Sequence, residues 1–187
     1  YHAYSLPSMP VVCSDRDAGI RLFRWGLIPS WVKDEGEANE IMLKTFNARS
    51  ETISSKPAFR DSFASRRCLV PVCGFFEWQH HGGRKIPWYI TLRGENIFSL
   101  AGIWDSWTVE GGMTLNTFSV VTTRANELME EIHNSKKRMP VILPASAERM
   151  WLRDGADESA LAALMEPVAP DMLSAHTISP LITNARA

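Results

Sequence analysis

The longest uniformly apolar run of the chain is Cys68-Leu-Val-Pro-Val-Cys-Gly-Phe-Phe-Glu-Trp78. β-Branched and aromatic residues fill it up to Glu77, the pattern of a strand buried on both faces, and Pro71 and Gly74 predict a break. Ahead of it, residues 9–13 predict a short strand and 14–19 a polar turn. Residues 20–26 then alternate, with Leu22 and Arg24 on one face and Arg21, Phe23 and Trp25 on the other, so a hairpin is expected. Pro29-Ser-Trp31 reads as a loop presenting an aromatic. Residues 33–40 are acidic and interrupted by Gly36, and an irregular excursion is expected there. Residues 45–52 are polar throughout. Ser54-Ser-Lys-Pro57 supplies helix-start chemistry, Phe59 and Phe63 a buried stripe, and Arg66-Arg67 a cationic helix end.

Beyond the apolar run, His80-His-Gly-Gly83 predicts a hairpin turn into a strand at 87–92. Two more strands are expected at 98–107 and 115–122, separated by the Glu110-Gly-Gly112 turn. A helix follows to about His133, with Leu128, Met129 and Ile132 on its apolar side. A short strand at 139–143 precedes two helices, one capped by Ser146 and ended by Gly155, the other capped by Asp157 and ended by Pro167. The tail at 176–179 predicts a last strand. The sum is α+β: a mostly antiparallel sheet system with peripheral helices and no internal repeats.

Composition narrows the function classes. The 187 residues, 45% hydrophobic and 22% charged, suit one domain with a sizeable core. A net charge of -1 and a pI near 6.6 exclude a generally basic nucleic-acid coat and leave room for a local basic groove, for which Lys136-Lys137-Arg138 and Arg66-Arg67 are the candidate linings. Seven tryptophans are unusual, and Trp25, Trp31, Trp88 and Trp107 stand beside Gly, Pro or Ser, where they act as core lids or stacking platforms. Three cysteines predict no disulfide framework. With no bilayer-length apolar run and no visible signal peptide, a soluble cytoplasmic protein without a membrane partner is expected.

The candidate chemistry is scattered and polar. Glu77 shares a strand face with Phe75 and Gln79, and burial there would raise its pKa toward the range of a proton carrier at pH 7. The alternative is a strand-end carboxylate that reaches solvent or an arginine. A metal site is not expected: Cys68 and Cys73 are five apart, His80 and His81 are adjacent, and no CxxC or HxxxH pair exists. A cysteine hydrolase built on Cys73 or Cys13 with His133 is disfavoured, because Cys73 lies in the apolar run and is expected in the core. Asn47 and Arg49 share a parity in an extended segment, so both can face one cleft. His133 ends its helix just before Asn-Ser and three cations, and its charge state stays open.

Four separated motifs then occur in one order: Trp25-Gly-Leu-Ile-Pro-Ser-Trp31, Phe46-Asn-Ala-Arg-Ser-Glu-Thr52, Gly74-Phe-Phe-Glu-Trp78, and Ile132-His133 followed by Arg138-Met-Pro140. In this the chain resembles the SRAP domain, the SOS response-associated peptidase family, along nearly its whole length. The resemblance implies a single domain over 1–187 with a barrel-like core. It also implies sensing of abasic sites in single-stranded DNA, shielded by a covalent thiazolidine crosslink, in the DNA damage response. No cofactor and no obligate protein partner are implied, and a nucleoid association when DNA is bound. The family's nucleophile is a cysteine that becomes the N-terminus when the initiator Met is removed autoproteolytically. By the same resemblance Asn47 positions the N-terminal group, Glu77 shuttles protons and His133 assists Schiff-base chemistry and reversal. Arg49 and Arg138 bind phosphates, and Trp31 wedges or stacks near the abasic gap. The chain departs from the family by opening at Tyr1 without a Met-Cys-Gly-Arg start, and its nearest cysteine is Cys13. The expectation is that an upstream segment is missing and that this chain alone makes no thiazolidine. Lys136 and Lys137 are an insertion relative to the shorter family pattern. Two other readings stay open: a non-catalytic single-stranded nucleic-acid-binding module, and a cysteine peptidase.

Overall fold

The computed structural model describes residues 5–13, 19–108 and 111–183. Residues 14–18 of the turn expected at 14–19, Glu110, and both chain ends (1–4 and 184–187) lie outside the described residues. In chain order the strands are β1 (Ser8–Cys13), β2 (Ile20–Trp25), β3 (Asn47–Arg49), β4 (Arg67–Val72), β5 (Phe75–His81), β6 (Arg84–Leu92), β7 (Phe98–Thr108), β8 (Thr114–Arg124), β9 (Arg138–Pro140), β10 (Ile142–Leu143) and β11 (Leu173–Thr177). The helices are α1 (Glu35–Met42), α2 (Arg60–Ser65), α3 (Glu127–Ile132), α4 (Ala145–Leu152) and α5 (Glu158–Leu164).

Strands β7, β4, β1, β2 and β8 pair in that order, and β8 pairs back to β7, which closes a five-stranded barrel. Closure removes the edges that an open sheet would leave unpaired. Only β2 and β8 run parallel within the ring. β10 extends β7, while β3 and β9 both attach to β8. A second sheet, β11-β6-β5, is antiparallel. The architecture is the expected α+β one, with a barrel-like core and peripheral helices.

Alternation along the barrel strands sorts the core into two faces. Val11, Phe23, Val70 and Phe118 pack with Ile90 and Leu173 of the second sheet and with Met129 and Ile132 of α3. The intervening positions Leu69, Ala101, Ile103 and Val121 pack under Phe63 of α2, Trp151 of α4 and Leu161 of α5. Burying each such side chain is worth about 1.5–3 kcal/mol, so both faces are stabilised by apolar burial.

Local chemistry explains where the structure departs from expectation. The acidic segment at 33–40 is helical: Asp34 caps α1 by accepting the amide of Glu37 at 2.8 Å, and Ala38 and Met42 are buried beneath it. The expected strand at 139–143 is two, β9 and β10, interrupted at Val141. α4 begins after Pro144 rather than at Ser146. The helix expected after Ser54 starts at Arg60, although Phe59 and Phe63 are buried as anticipated.

Arg66 and Arg67 line no groove. The Arg67 side chain is 1% exposed and donates to the carbonyls of Phe63, Ala64, Trp151 and Arg153. It satisfies the orphan carbonyls at the ends of α2 and α4, and that burial pulls its pKa below the ordinary arginine value. Arg66 pairs with the buried Asp105 at 3.1 Å.

Candidate functional site

The segment from β4 to β5, which contains the apolar run, breaks at Cys73-Gly74 and passes from the barrel to the second sheet. A Cβ at Gly74 would lie 2.5 Å from the Tyr89 ring, so any larger residue there would push that ring aside. Beyond the break, β5 pairs with β6 so that Glu77 stands opposite Trp88. Phe75, on the same strand face as Glu77, packs against the barrel core.

The second half of the site comes from α3. Asn126 caps its start, accepting the amide of Met129 at 2.9 Å and donating to the carbonyl of Val168 at 2.9 Å. His133 ends the helix with its amide donating to Met129 at 2.7 Å. The chain then turns through Lys137, whose φ of 51° is unusual for a residue with a side chain, and its amide donates back to the carbonyl of His133 at 2.8 Å. This turn presents the Arg138 carbonyl 2.9 Å from His133 Nδ1. A carbonyl only accepts, so Nδ1 carries the proton of this bond.

Glu77 Oε1 lies 3.5 Å from the same Nδ1, with side-chain exposures of 16% for His133 and 21% for Glu77. That separation is an electrostatic contact rather than a strong hydrogen bond. Burial raises the Glu77 pKa above the ordinary carboxylate value, opposed by the charge of His133, the amide of Trp78 and the ammonium of Lys136.

β3 faces this pair. Its pairing with β8 buries Ala48 completely and turns Asn47 and Arg49 outward, as their shared parity predicts. Asn47, Arg49, Glu77, His133 and Arg138 line one cleft of 1220 Å³. Trp31 does not line it; its side chain is 46% exposed on the loop where Ser30 donates its amide to Asp105. The structure therefore brings together five of the six candidate residues and leaves Trp31 apart.

Trp25 and Phe46 add an aromatic wall that the pattern of the sequence had not assigned to the site. Trp25 donates its indole N–H to the Phe46 carbonyl at 2.9 Å and stacks on Phe118 with centroids 6.1 Å apart. Gly26, at φ 111°, lets the chain leave Trp25 against Met42 without a Cβ clash. Lys44 and Lys56 also line the cleft, so five cations (Lys44, Arg49, Lys56, Lys136 and Arg138) face one carboxylate, Glu77, among its lining residues. Lys137, by contrast, pairs with Glu130 at 3.1 Å.

Arg138 is already engaged. Its guanidinium forms a two-pronged pair with Glu51, at 2.5 and 3.0 Å, and donates to the Thr122 carbonyl at 2.7 Å. The guanidinium in turn holds the Glu51 carboxyl below its ordinary pKa. Cys73 corrects an expectation: it is exposed and lines the cleft, because the break between sheets falls on it, whereas Cys13 and Cys68 are buried. Burial pushes the Cys68 thiol well up and keeps it inert. Among the described residues no three His, Cys, Asp or Glu side chains gather as a metal site.

Known proteins resemble this chain along most of its length. The family model described as SOS response associated peptidase (SRAP) matches residues 1–185. The chain is 41% identical over 165 residues to the abasic site processing protein YoqW of Bacillus subtilis, covering 87% of this chain and 70% of that one. It is 33% identical over 197 residues to the abasic site processing protein HMCES of Xenopus tropicalis, covering 92% of this chain and 57% of that one. A crystal structure of a Bacteroides thetaiotaomicron protein superposes with a TM-score of 0.95 at 39% identity, covering 98% of this chain and 79% of that one. A Bordetella bronchiseptica protein superposes with a TM-score of 0.81 at 26% identity, covering 92% and 84%. The chain belongs to the SOS response-associated peptidase (SRAP) family.

Proposed function

We propose that the cleft receives single-stranded DNA at an abasic site and that Glu77 and His133 move the protons of its covalent capture. The observation that carries the reading is a carboxyl with a raised pKa, 3.5 Å from an imidazole, inside a largely apolar cleft that also carries five lysine and arginine side chains. The names of the relatives, abasic site processing proteins, support the substrate.

The capture step follows from the family resemblance. The α-amine of a terminal cysteine adds to the ring-opened sugar aldehyde, and the carbinolamine loses water. The cysteine sulfur then closes on the iminium carbon and gives up its proton, leaving a thiazolidine. Protonated Glu77 donates to the departing hydroxyl, and its carboxylate takes back the thiol proton. His133 assists imine formation and reversal, and Asn47 orients the amine. Because Cys13, Cys68 and Cys73 are internal and have no free α-amine, the form that tests this step opens Met-Cys-Gly-Arg ahead of Tyr1. Removal of that Met by the same acid–base pair is the peptidase part of the reading.

Arg49 meets a phosphate directly, and Arg138 does so by exchanging Glu51 for a phosphate of like geometry. Titrating fluorescent single-stranded and duplex oligonucleotides over a range of salt tests this. Single strands should bind tighter, and Arg49→Ala should reduce the log–log salt slope by about 0.7. Equal affinity for both, with the slope unmoved by Arg49→Ala, overturns the reading.

A further inference from the structure

β5 is an edge strand of its sheet, and its outer edge carries the polar groups of the backbone next to Glu77. The segment that follows α3 covers that edge. Asn134 donates its Nδ2 to the His80 carbonyl at 2.9 Å and accepts the His80 amide on Oδ1 at 3.0 Å. Its carboxamide thus takes the place of a neighbouring strand residue, making both bonds that a paired peptide would make. One residue earlier on β5, Gln79 donates to the carbonyl of Glu131 at 3.0 Å and accepts the Trp88 indole N–H at 3.3 Å. These two struts, at 131 and 134 on one side and 79 and 80 on the other, bracket His133 in sequence and lie two and three residues beyond Glu77.

We infer that Asn134 is a positioning residue that holds His133 against Glu77 by pinning the turn after α3 to the free edge of β5. The catalytic meaning of that pair rests on the reading given under Proposed function. Without the pin, the pair would be held by the Gln79 strut, the short α3, the Lys137 amide and the bond from His133 Nδ1 to the Arg138 carbonyl. The charged groups that act on Glu77 are His133 and Lys136, and both lie on the segment that Asn134 fixes.

A double-mutant cycle without DNA tests this. The Glu77 carboxyl midpoint is read by carbon-13 NMR in the chain, in His133→Gln, in Asn134→Ala, and in the double variant. His133→Gln should raise the midpoint, because the imidazole favours the carboxylate. In the background carrying Asn134→Ala that rise should fall to about half or less, a coupling typical of groups that act through one another. An equal rise in both backgrounds, even with a lower melting temperature, makes Asn134 a structural staple and overturns the inference. Should Asn134→Ala fail to fold, Gln79→Ala removes the other strut and takes its place in the cycle. Failure of the DNA reading would appear separately, as absent single-strand binding.

Discussion

Glu77→Gln should stabilise the fold at pH 7.5 while it impairs the chemistry. The carboxyl is largely buried, and burial is the chief influence on its pKa, ahead of His133, the Trp78 amide and Lys136. An acid whose folded pKa stands above its unfolded one binds more protons when folded. Stability is then lost as pH rises from the ordinary carboxylate range through the folded pKa. Each pKa unit of elevation costs about 1.4 kcal/mol above that window, which in a chain of 187 residues corresponds to about 3–6 °C in Tm. The carboxamide keeps an oxygen to accept the Trp78 amide and removes the buried charge. Thermal melts at pH 7.5 and pH 4 read the effect. The variant should melt higher at pH 7.5, and the gain should vanish at pH 4, where both forms are neutral. A variant that melts equally or lower at pH 7.5 would show that attraction to His133 and Lys136 outweighs burial, and Glu77 would then be an ordinary ion-pair carboxylate.

Two further outcomes follow from the cleft. Glu51→Gln removes the competitor for the Arg138 guanidinium; Glu51 is half exposed and the pair is worth about 1 kcal/mol, so single-strand affinity should rise about two- to fivefold in fluorescence anisotropy, and unchanged or weaker binding would mean that Arg138 never leaves Glu51. Thiol labelling of the native protein with a maleimide should modify Cys73 well before Cys13 and Cys68, which are buried, and should block DNA binding; binding that survives full labelling would place the strand away from the Cys73 wall.

How much of this was legible in the sequence varies with the range of the interaction. Local patterns transmitted well. Alternation in residues 20–26 is the burial pattern of β2, and the parity of Asn47 and Arg49 reappears because Ala48 must face the core. Residues 33–40 misled because Gly36 and the acidic tally obscured the Asp34 cap and the apolar spacing of Ala38 and Met42. Cys73 was misplaced by averaging over an apolar run that in fact serves two sheets, with the exposed break between them. Arg66 and Arg67 were misread because a buried guanidinium bonded to four carbonyls leaves no trace in local sequence. The convergence of Glu77 with His133 and the diversion of Arg138 to Glu51 depend on contacts across 56 and 87 positions, beyond the reach of any periodicity; the family motifs, not the pattern, brought those residues into one list. Trp31 shows the reverse, a motif residue that the fold sets outside the cleft.

The most direct measurement is a denaturing gel of single-stranded DNA bearing one abasic site. It is incubated with the chain opening Met-Cys-Gly-Arg ahead of Tyr1, with its Glu77→Gln variant, and with the chain beginning at Tyr1. A heat-stable shifted band from the first, formed more slowly by the second and absent from the third, is the predicted result. No heat-stable band from any of the three, with single-strand binding intact, would contradict covalent capture and leave the cleft as a binding groove alone.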